Sequence, residues 1–221
     1  MRTTQRRRIG LALGALVLVG IWGTSSARAG TIGPNCGTCQ GSIYSLTYAV
    51  EGVSGANTTY DIFYTINTTG YTGGGLYLDS ASVKVSNSVV GTTTLDLAPG
   101  AISDWIVYSG GINAGGCDNT GSGFECASGD VGNGTGSYDA VGGTLTWVFD
   151  ITVPTGTLLT GTDGATIKAR YVNASDQKVG ALVSEGITLT PQSVAEPTLR
   201  VMLGMSLLFA VGLLRGKLNV A

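Results

Sequence analysis

Four cysteines are the residues in this sequence whose type and spacing most clearly point to chemistry. Cys36 and Cys39 form a Cys-x-x-Cys pair, and Cys117 and Cys126 enclose eight residues. In an exported chain they are expected to form disulfides, and the shortest loops pair Cys36 with Cys39 and Cys117 with Cys126, with crossed pairings left open. A redox pair would begin a helix, whereas Gly41 leads into a strand pattern. A four-cysteine zinc site is the remaining alternative.

Paired carboxylates are the second chemical option, because a glycosidase needs two acids and no histidine. Asp61 and Asp150 both lie in strand patterns, on the faces opposite the apolar residues. Single acids on an exposed strand face also keep a surface soluble, which is the simpler interpretation of the two residues. We therefore expect no catalytic residues and no enzyme activity.

Oxygen ligands of the kind that calcium accepts are concentrated between residues 109 and 143. They are Asp118, Asn119, Glu125, Asp130, Asn133 and Asp139. Their spacing does not fit an EF-hand loop, and acidic turns are commonly just solvated. We assign no metal and no cofactor, and keep Asp118, Asp130 and Asp139 as the calcium candidates.

Aromatic residues in glycine-rich segments are the fourth option, because sugar rings stack on exposed Tyr and Trp side chains. Tyr71 lies in a predicted turn, and Phe124 and Tyr138 lie in a predicted loop. Most of the nine tyrosines in a small β domain fill the core or the sheet edges, so their number alone decides little.

Composition excludes several function classes. The 221-residue chain has no histidine, which removes Ser-His-Asp and Cys-His hydrolases and His-ligated zinc or haem. Residues 30–193 carry four basic and thirteen acidic side chains, and such an acidic body makes nucleic acid an improbable partner. Charged residues are only 12% of the chain and glycines number 36, which is typical of strands and turns.

Alternating apolar residues predict the strands of this body. The clearest pattern runs through Tyr60, Ile62, Tyr64 and Ile66, and a second runs from Leu145 to Val153. Further strands are predicted at 43–50, 76–85, 89–97, 105–108, 167–172 and 179–189, the last one split near Gly186. The result is eight or nine strands and little helix, with a long loop from Ser109 to Gly143.

Strands with one buried face, joined by short glycine-rich turns, favour two packed antiparallel sheets. The predicted fold class is therefore all-β, a β-sandwich, with a jelly roll or an open barrel as alternatives. A signal helix and a C-terminal hydrophobic helix are expected to flank it. The predicted domains are 1–29, 30–193 and 194–221.

The first 29 residues have the three parts of a secretory signal peptide. Arginines precede an apolar run from Ile9 to Trp22, and Ala27 and Ala29 stand before Gly30. Small residues at these two positions suit a signal peptidase, so cleavage is expected between Ala29 and Gly30. The alternative is a short N-terminal anchor that is not cut.

The last 28 residues carry a second tripartite pattern. Val194, Ala195, Glu196 and Pro197 precede a predicted transmembrane stretch from Leu199 to Leu214, and the basic residues Arg215 and Lys217 follow. Basic residues after the apolar run would stay on the cytoplasmic side, which leaves the body outside the cytoplasm. A plain membrane anchor is the alternative interpretation of this tail.

The tail resembles the PEP-CTERM sorting signal of Gram-negative bacteria, in which Val-Pro-Glu-Pro precedes a transmembrane stretch and an arginine-rich end. Glu196 and Pro197 match this motif, and Ala195 stands where the family has its first proline. The resemblance implies recognition by a membrane-embedded exosortase, cleavage near the motif, and transfer of the body to the cell envelope or an exopolysaccharide matrix. It covers the tail alone.

The expected function is that of an exported, non-catalytic structural or interaction module of the cell envelope, cell surface or extracellular matrix. Its expected partners are signal peptidase and exosortase as processing enzymes, the membrane through the tail, and exopolysaccharide. The alternative is a carbohydrate-binding module or adhesin that uses loop aromatics, with calcium support.

Overall fold

The computed structural model describes residues 30–129 and 142–192, which form an all-β fold. Its thirteen strands are β1 (Gly30–Ile32), β2 (Ile43–Ser54), β3 (Asn57–Asn67), β4 (Tyr77–Lys84), β5 (Thr94–Leu97), β6 (Trp105–Ser109), β7 (Ile112–Asn113), β8 (Gly116–Cys117), β9 (Phe124–Gly129), β10 (Thr144–Pro154), β11 (Ala165–Val172), β12 (Val183–Ile187) and β13 (Thr190–Pro191). One short 3-10 helix, Ile102–Asp104, precedes β6. Within these described ranges, no helix has the length and apolar character needed to cross a bilayer.

Two sheets account for most of the fold. Sheet A has the order β1-β2-β3-β10-β5, and sheet B has the order β12-β11-β4-β9-β6. All neighbours in these paths are antiparallel, while β13 pairs parallel with β2. A separate two-stranded hairpin, β7–β8, contacts β4 on sheet B. The predicted sandwich-like, antiparallel class is confirmed, and the two predicted flanking helices lie outside the described residues.

The buried side chains come from the alternate positions that the sequence patterns indicated. On β3, Tyr60, Ile62, Tyr64 and Ile66 are all buried, with partly exposed residues between them. They pack with Trp147 and the other inward residues of β10 against the apolar face of sheet B. The period-two pattern thus specifies which face of sheet A is the core face.

Aromatic contacts extend the core from one sheet to the other. Trp147 packs against Tyr64 with ring centroids 6.0 Å apart, and it meets Trp105 edge-on at 5.2 Å. Tyr171 of sheet B hydrogen-bonds through its hydroxyl to Ser42 at 2.9 Å and to Tyr44 at 3.0 Å. These contacts join the inner faces of both sheets and satisfy buried hydroxyl groups.

Three predictions about the strands need correction. The predicted loop from Ser109 to Gly143 contains β7, β8 and β9, and β9 lies between β4 and β6 in sheet B. Gly186 does not split a strand, because it lies inside β12 and pairs with Thr166. The strand predicted at 89–97 is limited to Thr94–Leu97. Nine strands of four or more residues remain among those described.

The two ends of the described domain meet at one edge of sheet A. Both β1 and β13 pair along the same side of β2, with Gly30 opposite Leu46 and Thr190 opposite Thr47. The Gly30 amide donates to Thr190 Oγ1 at 3.2 Å. A Cβ atom on Gly30 would lie 1.5 Å from the Thr188 carbonyl oxygen, so only glycine allows this approach.

Candidate functional site

The four cysteines form two disulfides, Cys36–Cys39 and Cys117–Cys126, which confirms the pairing of shortest loops. None of the four is free. The Cys117–Cys126 bond ties the β7–β8 hairpin to β9 on the outer face of sheet B. Bonded sulfurs are not available as a set of four thiolate ligands, so these cysteines do not form the zinc site considered as an alternative.

Asp61 and Asp150 stand directly opposite each other in the β3–β10 pair, on the outer face of sheet A. Burial and then the nearby carboxylate of Asp96 raise the pKa of both side chains, and each raises the pKa of the neighbouring Glu51. The structure therefore brings together the two acids that the sequence singled out. The carboxylates of Asp96 and Glu51 lie on the same face, and the four negative charges repel one another. Among the described residues, no group of three or more Asp, Glu, Cys or His side chains is arranged to hold a metal ion.

The calcium candidate Asp118 is engaged within its own loop. Its Oδ2 accepts hydrogen bonds from Asn113 Nδ2 and from Thr120 Oγ1, both at 2.7 Å. The Thr120 hydroxyl is the largest cause of a lowered Asp118 pKa. The other two candidates, Asp130 and Asp139, lie outside the described residues.

Tyr71, one of the aromatics considered for sugar stacking, is buried. Its ring stacks on Tyr171 with centroids 4.3 Å apart, and its hydroxyl accepts a hydrogen bond from the Gly75 amide at 3.1 Å. Tyr71 is only 9% exposed, so its ring cannot stack on a ligand from solvent. Phe124 lies on β9 under the ammonium group of Lys168, 4.5 Å from the ring centroid. Tyr138 lies outside the described residues.

The residues of the two terminal signals fall mostly outside the described ranges. They are Ala27 and Ala29 at the predicted signal cleavage site, Val194, Ala195, Glu196 and Pro197 of the sorting motif, Leu199 and Leu214 at the ends of the transmembrane stretch, and Arg215 and Lys217 of the basic stop. Gly30 is described, and it is the first residue of β1.

The candidate functional site is a cavity that the sequence did not reveal, and we call it the hairpin pocket. It has a volume of about 270 Å³ and lies where the β7–β8 hairpin meets the outer face of sheet B. Its walls are formed by Asp79, Ile106, Tyr108, Gly115, Gly116, Cys117, Ser128, Gly129, Arg170 and Asp176.

Arg170 is the central side chain of the hairpin pocket. It is 4% exposed and forms an ion pair through Nη1 with Asp79, which is 2% exposed. Nε donates to the Ala114 carbonyl at 3.1 Å, which fastens the hairpin to the sheet. Nη1 and Nη2 also reach the Asp176 carboxylate at 3.3 Å and the Asp176 carbonyl at 2.8 Å.

A β-bulge places Asp79 in this position. Ser80 pairs with Arg170 and Leu78 pairs with Tyr171, so Asp79 is the extra residue between two paired positions. A bulge bends its strand and redirects a side chain, and this one brings a carboxylate to the guanidinium of the neighbouring strand. Gly116 of β8 lies over Arg170 and Ser80, and a Cβ atom on Gly116 would lie 3.6 Å from Arg170 Nη1. Its φ of +112° also favours glycine at this position.

Burial changes the pKa of Asp79 more than its ion pair with Arg170 does. Burial raises the pKa of Asp79 to about 6, although the Arg170 charge lowers it and the Asp176 charge raises it further. The Ser80 hydroxyl lies close enough to lower this pKa, but it is not in hydrogen-bond geometry. Asp79 Oδ1 is buried and has no hydrogen-bond partner. The pocket therefore holds a buried carboxylate oxygen whose bonding capacity is unused.

Two other cavities are larger but less specific. One of about 350 Å³ is lined by Glu125, whose pKa burial raises and which accepts a bond from Ser109 at 3.3 Å. Another, of about 490 Å³, lies beside Ile43 and Asn67 and has no charged lining residue. Of the three, the hairpin pocket alone is lined by two buried, oppositely charged side chains.

Comparison of the chain with protein-family models, with curated proteins and with solved structures finds no match. The assignment of a function therefore rests on the residues and the geometry described above.

Proposed function

We propose that this protein is exported and acts as a non-catalytic structural or interaction module of the cell envelope or extracellular matrix, sorted through a PEP-CTERM-like tail. The observation that carries the proposal is the closure of all four cysteines into two disulfides within the domain. After the expected cleavage before Gly30, the new amino terminus could still donate to Thr190 Oγ1.

The two disulfides bear on the compartment in which the domain is located. Both pairs are closed within the domain and leave no free cysteine, which suits an oxidising compartment such as a periplasm or the outside of the cell. In the cytosol these thiols would be kept reduced, and the β7–β8 hairpin would lose its covalent link to β9.

The second end of the domain supports attachment through the tail. β13 ends at Pro191, and the Gln192 amide still donates to the Tyr48 carbonyl at 2.7 Å. The proposed sorting motif begins two residues later, at Val194. Six residues, 193–198, separate Gln192 from the predicted transmembrane stretch and span at most about 22 Å when extended. The proposed anchor would therefore hold the domain close to the membrane before cleavage.

The non-catalytic part of the proposal is supported by the chemistry of the acids. Asp61 and Asp150 lie on the outer face of a sheet with two further carboxylates. A glycosidase needs one of its two acids protonated beside a sugar held in a cleft, and neither residue lines the hairpin pocket or the two larger cavities.

Terminal peptide mapping of the protein from the membrane and the medium of its native host tests this proposal. We expect a chain that begins at Gly30 and, in the medium or matrix, ends near Glu196 or Pro197. A Glu196→Ala variant should accumulate in the membrane, whereas the matched Ser193→Ala variant should be processed normally. Cytosolic protein that retains Met1 and has four reactive thiols would contradict export, and an intact tail in every fraction would contradict sorting.

A carbohydrate-binding module remains the second candidate. Its original support from Tyr71 is lost because that ring is buried, and the Asp118 carboxylate is engaged by its own loop. Any support for this candidate must therefore come from a different part of the domain.

A further inference from the structure

Unsatisfied polar atoms are concentrated on β4 beside the hairpin pocket. Asp79 Oδ1, Ser80 Oγ and Ser82 Oγ are buried without a hydrogen-bond partner, and they are three of six such side-chain atoms in residues 30–129 and 142–192. All three residues are at most 2% exposed. A buried polar atom without a partner costs about 1–3 kcal/mol. Asp79 lines the pocket and Ser80 Oγ lies 3.8 Å from the Cβ position of Gly116 in its wall, so these two atoms point to a group in the pocket. Ser82 does not line it.

The charges around the pocket restrict the class of this group. Arg170 faces two carboxylates, those of Asp79 and Asp176, so the cluster has a net negative charge and would repel an anion. A cation would have to lie next to the guanidinium group, whose charge opposes it. A neutral polar ligand avoids both penalties.

The hydrogen-bonding capacity of the cluster fits hydroxyl groups. Asp79 Oδ1 can only accept while the carboxyl is ionised, and the Ser80 hydroxyl can donate. The five N–H groups of Arg170 have four acceptor contacts among the described residues, which leaves Nη2 able to donate once more. A ligand hydroxyl can donate to the carboxylate and accept from the guanidinium at the same time, so adjacent hydroxyls match this set.

The mouth of the pocket supplies the apolar contact that a sugar ring needs. Tyr108 is partly exposed and Ile106 is 50% exposed, and both line the cavity. An aromatic ring beside polar groups can contact the C–H face of a sugar while its hydroxyls bond deeper in the pocket. The volume of about 270 Å³ lies just below the usual range of ligand pockets, which begins at about 300 Å³. It therefore suits one sugar unit.

We propose that the hairpin pocket binds a single pyranose unit of a neutral polysaccharide, with Asp79 and Arg170 bonding its hydroxyls and Tyr108 packing against its ring. This inference rests on the proposed role of the protein as an interaction module. It does not depend on the terminal signals, since every residue it uses lies between β4 and the β11–β12 connection.

Binding by the full chain, purified from the host fraction in which it is found, tests the inference. The probes are methyl hexopyranosides of glucose, galactose and mannose, together with a neutral glucan and a neutral galactan, followed by saturation-transfer NMR and calorimetry. We expect at least one to bind, and Asp79→Asn and Tyr108→Ala each to weaken that binding at least tenfold. Asp150→Asn on sheet A and Phe124→Ala, which does not line the pocket, are the matched controls and should bind normally.

Ser80→Ala keeps the test decisive even where Asp79→Asn fails to fold. It removes a hydroxyl without a partner, so the free protein should be no less stable, while affinity should fall at least threefold. Binding by none of the probes, unchanged affinity in the folded pocket variants, or a crystal structure with only water in the pocket at saturating sugar would overturn the inference. Processing is read separately by mass, so a failure of export or sorting leaves the binding result standing.

Discussion

Replacing Asp79 by asparagine should change how the stability of the domain depends on pH. The folded state holds the Asp79 proton more tightly than the unfolded chain, because burial raises the pKa of Asp79 from 3.8 to about 6. The stabilisation that this proton provides is complete only well below the unfolded-state pKa of 3.8, and it is lost as the pH rises through 6. An asparagine side chain cannot titrate, so the variant lacks this dependence.

The magnitude follows from the difference between the two pKa values. A shift of about two units at 1.36 kcal/mol per unit gives about 3 kcal/mol. Part of this change lies below pH 4, so the unfolding free energy of Asp79→Asn, relative to wild type, should rise by about 2 kcal/mol between pH 4 and pH 7. For a domain of this size that corresponds to a relative gain of about 4–8 °C in melting temperature.

Urea unfolding at half-unit steps from pH 4 to pH 7 measures this difference. Subtracting the wild-type curve from the variant curve removes the contribution of carboxylates common to both proteins, including the cluster on sheet A. Ser82→Ala is the matched control, because it alters a buried residue of the same strand that is not among the groups that shift the pKa of Asp79. Its difference curve should be flat.

Two results would refute the reasoning. A flat curve for Asp79→Asn would mean that the folded and unfolded states bind this proton equally, so that Asp79 is not buried as the structure shows. A curve that falls as the pH rises would mean that the charge of Arg170 outweighs burial and lowers the pKa.

Three further predictions concern other parts of the domain. Replacing Cys117 and Cys126 together by alanine should lower the free energy of urea unfolding by about 2.6 kcal/mol, because the loop that this disulfide closes has a sequence separation of 9. Removing the Cys36–Cys39 disulfide, with a separation of 3, should lower it by about 1.6 kcal/mol. Equal losses would contradict this ranking. Asp150→Asn should stabilise the protein by about 0.2–1 kcal/mol at pH 7 by relieving repulsion from Asp96 and Asp61, and a gain unchanged in 1 M salt would argue against that cause. Tyr171→Phe should cost about 1–3 kcal/mol by leaving the two hydroxyls that it joins with fewer partners, and thermal melting that matches wild type would show that this bond contributes nothing.

Sequence patterns predicted the strands whose side chains alternate strictly. β3 and β10 carry bulky apolar residues at every second position, so their core face follows from their own residues. β9 has no such pattern, since Phe124–Gly129 is mostly small and polar and its inward positions include Glu125 and Ala127. Its strand conformation depends on pairing with β4 and β6, which a single segment cannot indicate.

The candidate site, too, could be predicted from the sequence only in part. Asp79 and Arg170 are charged residues at interior positions of strands that are mostly buried, and a buried charge requires a partner. That signal could have indicated a pair. It could not indicate the bulge that turns Asp79 toward β11, nor that the β7–β8 hairpin covers both residues, because these depend on register between distant segments.

The meeting of Gly30 and Thr190 at one edge of sheet A makes the domain a natural candidate for circular permutation. A linker of a few residues could join position 192 to position 30 without crossing the core, since the Gly30 amide and Thr190 Oγ1 are already 3.2 Å apart. New ends opened at Gly55, in the two-residue turn between β2 and β3, would lie at an exposed tip with φ +60° and no atom near the position of a Cβ. The permuted chain would keep every strand pair. A reporter domain could then be fused to the new ends at Gly55 instead of to the original ends beside β2.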